Sequence, residues 1–164
     1  MPESFEEFPQ TFASHSRPSA RVYRMRHDCF AAPSNSPGLD ECPLLAELPD
    51  EGISVFGRLH ATLSNAATSE SIPVYAFSDS EPPAVPTGRV FVTGSQGVKL
   101  EALVKPLGYE IQGRPGYARN SAWLVAVDRS IATALANLKN LMNATGLDSV
   151  EPQMLRPSQP RGPA

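Results

Sequence analysis

The chain has 164 residues, enough for one ordinary domain or two small lobes, and 41% of them are hydrophobic, so it can build a packed core. A net charge of −3 gives no ground for expecting nucleic acid as a partner, and no run of about 18 apolar residues offers a membrane span. Only 19% of residues are charged while 17 are proline, which suggests a compact unit flanked by irregular, proline-punctuated segments.

Residues 1–20 lack periodicity and are expected to be a mobile tail. The acidic stretch Met1 to Gln10 has no basic region followed by apolar residues, so it does not read as a secretory signal, and a cytoplasmic location is expected. Residues 21–84 are expected to form a β-rich, proline-rich segment ending in a linker. Within it, Arg21 to Phe30 looks extended, and Ala31 to Pro49 carries loop chemistry with room for one helical turn at Leu44, Leu45 and Leu48. Gly52 to Leu63 alternates as a strand does, and Ile72 to Phe77 is a second apolar run with Pro73 at its start. Pro82, Pro83 and Pro86 make Glu81 to Gly88 a stiff linker and the best domain boundary.

The two cysteines, Cys29 and Cys42, do not amount to a disulfide framework, and reduced thiols are expected, with pairing left open. His27, Asp28 and Cys29 are adjacent, so in a strand their side chains diverge, and neither a metal nor another cofactor is expected.

The pattern sharpens after Gly88. Arg89-Val-Phe-Val-Thr93 reads as a strand, and Gly94-Ser-Gln-Gly97 turns the chain. Leu100, Leu103, Val104 and Leu107 then fall on one helical face, with Ser95 as a candidate cap, Gly108 as a stop and Pro106 shortening the last turn. Tyr109 to Gln112 and Asn120 to Val127 are strands. In the second, Trp123, Val125 and Val127 alternate with Leu124 and Ala126, and the core-facing set is read as the one holding Trp123. A helix over Ile131 to Ala144, capped by Asp128 or Ser130, has a stripe of Ile131, Leu135, Leu138 and Leu141 or Met142. An extended Leu147 to Leu155 closes the series. The expected fold class is therefore α+β: a ferredoxin-like βαββαβ antiparallel sheet over 85–156 with two helices on one face, followed by a flexible tail at 157–164. The other sheet face is left without a cover.

Two catalytic readings fail on spacing. The turn Gly94 to Gly97 lacks the third glycine of a dinucleotide-binding fingerprint, because that position is Leu100. Ser95 lacks a nucleophile elbow, and His15, His27 and His60 all lie upstream with no acid to orient them. The chain is not expected to be an enzyme.

Five stretches carry a resemblance: Ile72-Pro-Val-Tyr-Ala-Phe77, Val85-Pro-Thr-Gly-Arg-Val-Phe-Val92, Leu103 to Ile111, Trp123-Leu-Val-Ala-Val127 and Val150-Glu-Pro-Gln-Met154. From Pro73 to Pro157 the sequence resembles the propeptide (inhibitor) domain of bacterial subtilisin-like serine proteases, of the fervidolysin-like type. The Glu-Pro dipeptide after a helix ending in glycine is the most specific part, although Ser149 and Val150 replace the family's usual apolar-alanine pair. The resemblance implies a non-catalytic inhibitor or folding chaperone, monomeric when free, whose partner is a subtilisin-like protease. It implies docking through the sheet face that bears alternate residues of Asn120 to Val127. It further implies that Gln153, Met154, Leu155 and Arg156 enter the substrate cleft as an added strand, with Glu151 as a polar contact beside the dock. Pro157 would make the Arg156–Pro157 bond a poor substrate. No catalytic domain follows within these residues, which leaves open a free-standing inhibitor and an excised precursor piece. The competing expectation is a ferredoxin-like regulatory or assembly module that binds a small molecule or its own copy.

Overall fold

A computed structural model describes residues 5–36, 38–58, 71–116 and 120–157. The protein is α+β, and it is mostly strand. The first sheet contains β1 (Thr11–Ala13), β2 (Val22–Pro33), β3 (Leu44–Leu48), β4 (Ile53–Gly57) and β5 (Ile72–Ala76), in the order β1-β2-β4-β3 with β5 also on β2. The second contains β6 (Val85–Gly94), β7 (Tyr109–Gly113), β8 (Ser121–Ala126) and β9 (Leu147–Leu155), in the order β7-β8-β6-β9. All the strand pairs are antiparallel.

Among the described residues three short helices accompany the second sheet: α1 (Leu100–Val104), α2 (Ile131–Ala136) and α3 (Leu138–Met142). Pro106 converts the end of the first into a 3-10 turn over Lys105–Leu107, and Gly108 stops it with φ +93°. The single helix expected over Ile131 to Ala144 is two helices interrupted at Asn137. Close to the break the buried Tyr109 hydroxyl donates to the Ala134 carbonyl. Ser130 caps α2 through the Thr133 N–H at 3.2 Å, and Asp128 takes the Ser130 N–H and the Thr133 hydroxyl. Ser95 is not a cap: Lys99 precedes α1, and the Ser95 hydroxyl donates to Asp148 at 2.8 Å.

The helices bury Leu100, Val104, Leu135, Leu138 and Leu141 in one cluster with Val90, Val92, Ala122, Leu124, Ala126 and Val150. The same cluster continues into the first sheet through Phe12, Tyr23, Met25, Phe30, Phe56 and Tyr75. A smaller cluster on the other side of that sheet joins Cys29, Ala31, Leu48, Val55 and Val74 to Val85 of β6, with Leu155 of β9 packed against it. The first sheet is thus packed on both faces.

Several expectations for residues 1–84 need correction. From Phe5 onward the supposed tail is folded: Phe5 and Phe12 are buried, β1 pairs with β2, and the Tyr75 hydroxyl donates to the Pro9 carbonyl at 2.7 Å. Scattered aromatics, with no period of their own, dock there on a core that other elements supply. The expected turn at Leu44 to Leu48 is the strand β3, whose Leu44 and Leu45 are exposed at the sheet edge. The expected linker is a hairpin, because Tyr75 and Ala84 exchange both backbone hydrogen bonds and Val85 already belongs to β6. Pro82 and Pro83 lie outside any strand, in the connection before Ala84, and Pro86 lies within β6 opposite Met154. His60 and the second half of the expected strand to Leu63 lie outside the described residues.

Candidate functional site

The side chains of β6 and β8 that alternate with the buried set point away from the helices. Phe91 lies opposite Trp123, with ring centroids 4.8 Å apart and planes inclined by 56°. Neither ring is buried, which corrects the expectation that Trp123 belongs to the core: Leu124 and its neighbours two positions away take that role. The guanidinium carbon of Arg89 stands 4.5 Å over the Trp123 ring, and its Nε is buried with no hydrogen-bond partner. Farther along this face Thr93 and Ser121 share a hydroxyl contact of 3.0 Å, and Arg129 pairs with Glu110.

On the opposite side, Phe91 faces Glu151 of β9. Beyond this pair, between the Val90–Pro152 and Pro86–Met154 partners, β6 has three residues, Thr87, Gly88 and Arg89, where β9 has one, Gln153. Gly88 has φ +86°, which turns the strand. The Thr87 hydroxyl reaches the Gln153 side-chain oxygen at 3.0 Å, and the Arg89 N–H donates to the Thr87 oxygen. The bulge leaves an open hollow of about 310 Å³ lined by Phe91, Trp123, Glu151, Pro152, Gln153 and Met154.

Of the five residues expected to meet a partner, Glu151, Gln153 and Met154 therefore converge on one hollow. Leu155 and Arg156 do not. Leu155 pairs with Val85 and packs against the smaller cluster, and Arg156 reaches the first sheet, where its guanidinium bonds the Tyr23 hydroxyl. It also lies 5.2 Å from the Phe77 ring centroid, over a Tyr23–Phe77 stack with centroids 4.2 Å apart. Arg21 covers Phe77 at 4.1 Å and pairs with Glu81. The expected site also omits Arg89, Phe91 and Thr87. The alternation Arg89, Phe91, Thr93 holds the signal for the first two, because it sets them on the face of Trp123.

The remaining reactive groups are dispersed. Cys29 and Cys42 are both free and buried, in different clusters, and burial pushes the Cys29 thiol up to about 11. His15 accepts the Arg17 N–H, while His27 lines a separate hollow with Arg24, Arg26, Asp28 and Asp79. Among the described residues no three His, Cys, Asp or Glu side chains gather as a metal site, and no helix is long and apolar enough to cross a membrane.

No family model, curated protein or solved structure matches the chain.

Proposed function

We propose that the protein is a non-catalytic, propeptide-like inhibitor or folding chaperone of a subtilisin-like serine protease, docking through the face of the second sheet that bears Phe91 and Trp123. In this reading residues 85–156 form a ferredoxin-like unit. The strand order β7-β8-β6-β9 supports it, as does the shared cluster into which α1, α2 and α3 all pack. The observation that carries the docking is the aromatic pair on adjacent central strands, half-buried and, among the described residues, topped only at Trp123 by Arg89 of β6. Rigid aromatics of this kind are the usual anchors of a protein interface.

Leu155 and Arg156 modify the tail's role. Both hold β9 against the first sheet, so either side chain enters the cleft only once these contacts are released. Glu151, Gln153 and Met154 belong to the dock.

The test is inhibition of a purified subtilisin by the whole chain, read as hydrolysis of a chromogenic peptide. Inhibition at micromolar protein is expected, and the Phe91→Ala, Trp123→Ala double variant weakens it by about 100-fold at unchanged fold, as judged by circular dichroism. Full protease activity at saturating wild-type protein would sink the reading.

A further inference from the structure

The hollow beside the aromatic pair has a chemistry of its own. Two of its walls are the Phe91 and Trp123 rings, Met154 adds an apolar wall, and Glu151 is the only charged residue among the described ones that line it. Glu151 is exposed and forms no ion pair among the described residues, whereas Glu81, Glu101, Glu110 and Asp28 each have an arginine partner. The Gln153 side-chain oxygen already accepts from Thr87 and is held in place. Arg89 does not line the hollow; it stacks on Trp123 and fixes that ring. An unpaired carboxylate beside aromatic faces favours a cation, by Coulomb attraction and by the ring quadrupole together.

We infer that this hollow receives an arginine or lysine side chain of the partner. The inference rests on the docking role given to this face, and it adds the chemistry of one contact. The cavity of about 310 Å³ is open on one side and accommodates one long side chain and its terminal charge. The aromatic pair alone would equally suit a stacked nucleic-acid base. Glu151 decides against that, because a bare carboxylate in the hollow repels a phosphate backbone, and the chain's net charge of −3 gives no compensating attraction.

Trp123 is the chain's only tryptophan, so its fluorescence reports occupancy of the hollow directly. The full chain is titrated with N-acetyl-arginine amide, N-acetyl-lysine amide, the uncharged N-acetyl-norleucine amide and a short single-stranded oligonucleotide. A saturable change is expected with the two cationic probes in the millimolar range, weakened by added salt. Glu151→Gln reduces their affinity by about fivefold, and the norleucine probe binds no better than to that variant. Glu151 is exposed, so the variant keeps its fold, which the denaturation midpoint verifies. Equal binding of cationic and uncharged probes, binding of the oligonucleotide in their place, or indifference to Glu151→Gln overturns the inference. These outcomes are independent of subtilisin inhibition. A chain that inhibits but ignores the arginine probe refutes only the contact, and one that binds the probe without inhibiting refutes the protease reading.

Discussion

Cys29 lies where β2 departs from regular pairing: His27, Asp28 and Cys29 fall between the partners Arg26–Val74 and Phe30–Pro73, which are adjacent on β5. Its thiol points into the smaller cluster, among Ala31, Leu48, Val55, Val74 and Val85, and is fully buried. Burial raises its pKa to about 11 from an ordinary 9.0; Arg26 and Arg58 pull the other way and Asp28 adds to the rise. The folded state therefore favours the neutral thiol. Its contribution to stability is complete below pH 9 and is lost as pH climbs toward 11. Between those values the urea midpoint of the wild-type protein should fall more steeply than that of Cys29→Ala. Equal slopes would show that the thiolate is tolerated where it stands. The same burial makes Cys29 slow to react with a disulfide reagent until the chain opens. At this scale the sequence was informative about faces and silent about seats. Alternation separates Trp123 from Leu124 without saying which of the two faces the core, and the core holds Leu124; the resemblance around the Glu-Pro run supplied Glu151, Gln153 and Met154. Arg156, however, finds Tyr23 across 133 positions, a contact that no local pattern encodes.

The elements of the second sheet follow from periodicity because each helix and strand there carries its own apolar repeat. Those of the first sheet are less legible, since β1 and β3 are short edge strands held by long-range pairing. The edge of β9 is closed in the same way: Ser16 donates its N–H to the Val150 carbonyl and accepts the Val150 N–H on its side chain, at 3.0 and 2.9 Å. Between the sheets, β6 must first pair with the end of β9 over the first sheet and then turn into the second. Gly88 makes the turn possible. At φ +86° a side chain is strained, and a Cβ there would stand 3.1 Å from the Ile131 side chain and 3.4 Å from its backbone. Gly88→Ala is expected to cost about 1–3 kcal/mol, read from chemical denaturation, and to perturb Trp123 fluorescence as the bulge shifts. An unchanged midpoint would mean that β6 absorbs the residue without strain, and the hollow would then owe nothing to this glycine.

The boundary suggested by prolines at 82 and 83 separates two sheets in sequence that are not separated in packing. Phe12, Tyr23 and Tyr75 of the first sheet share a cluster with Leu135 and Leu138 of the helices, while Val85 and Leu155 of the second sheet help cover the far side of the first. Arg156 on the Tyr23–Phe77 stack and Ser16 on Val150 add polar ties in both directions. A unit of about 70 residues buries a modest share of its surface alone, so each sheet depends on the other for part of its core. Unfolding should then be a single event. Trp123 reports the second sheet by fluorescence, and Cys29, in the first, reports by its availability to a thiol reagent during a brief pulse. Measured against urea, the two probes are expected to share one midpoint, and Leu155→Ala should lower both together because its side chain belongs to both ends of the argument: it is the second sheet's residue in the first sheet's core. Two separated midpoints, with Leu155→Ala shifting only the fluorescence curve, would make residues 85–156 an autonomous domain. The hinge between them would then be free to change how the Phe91–Trp123 face is presented, and docking would no longer be fixed by the first sheet.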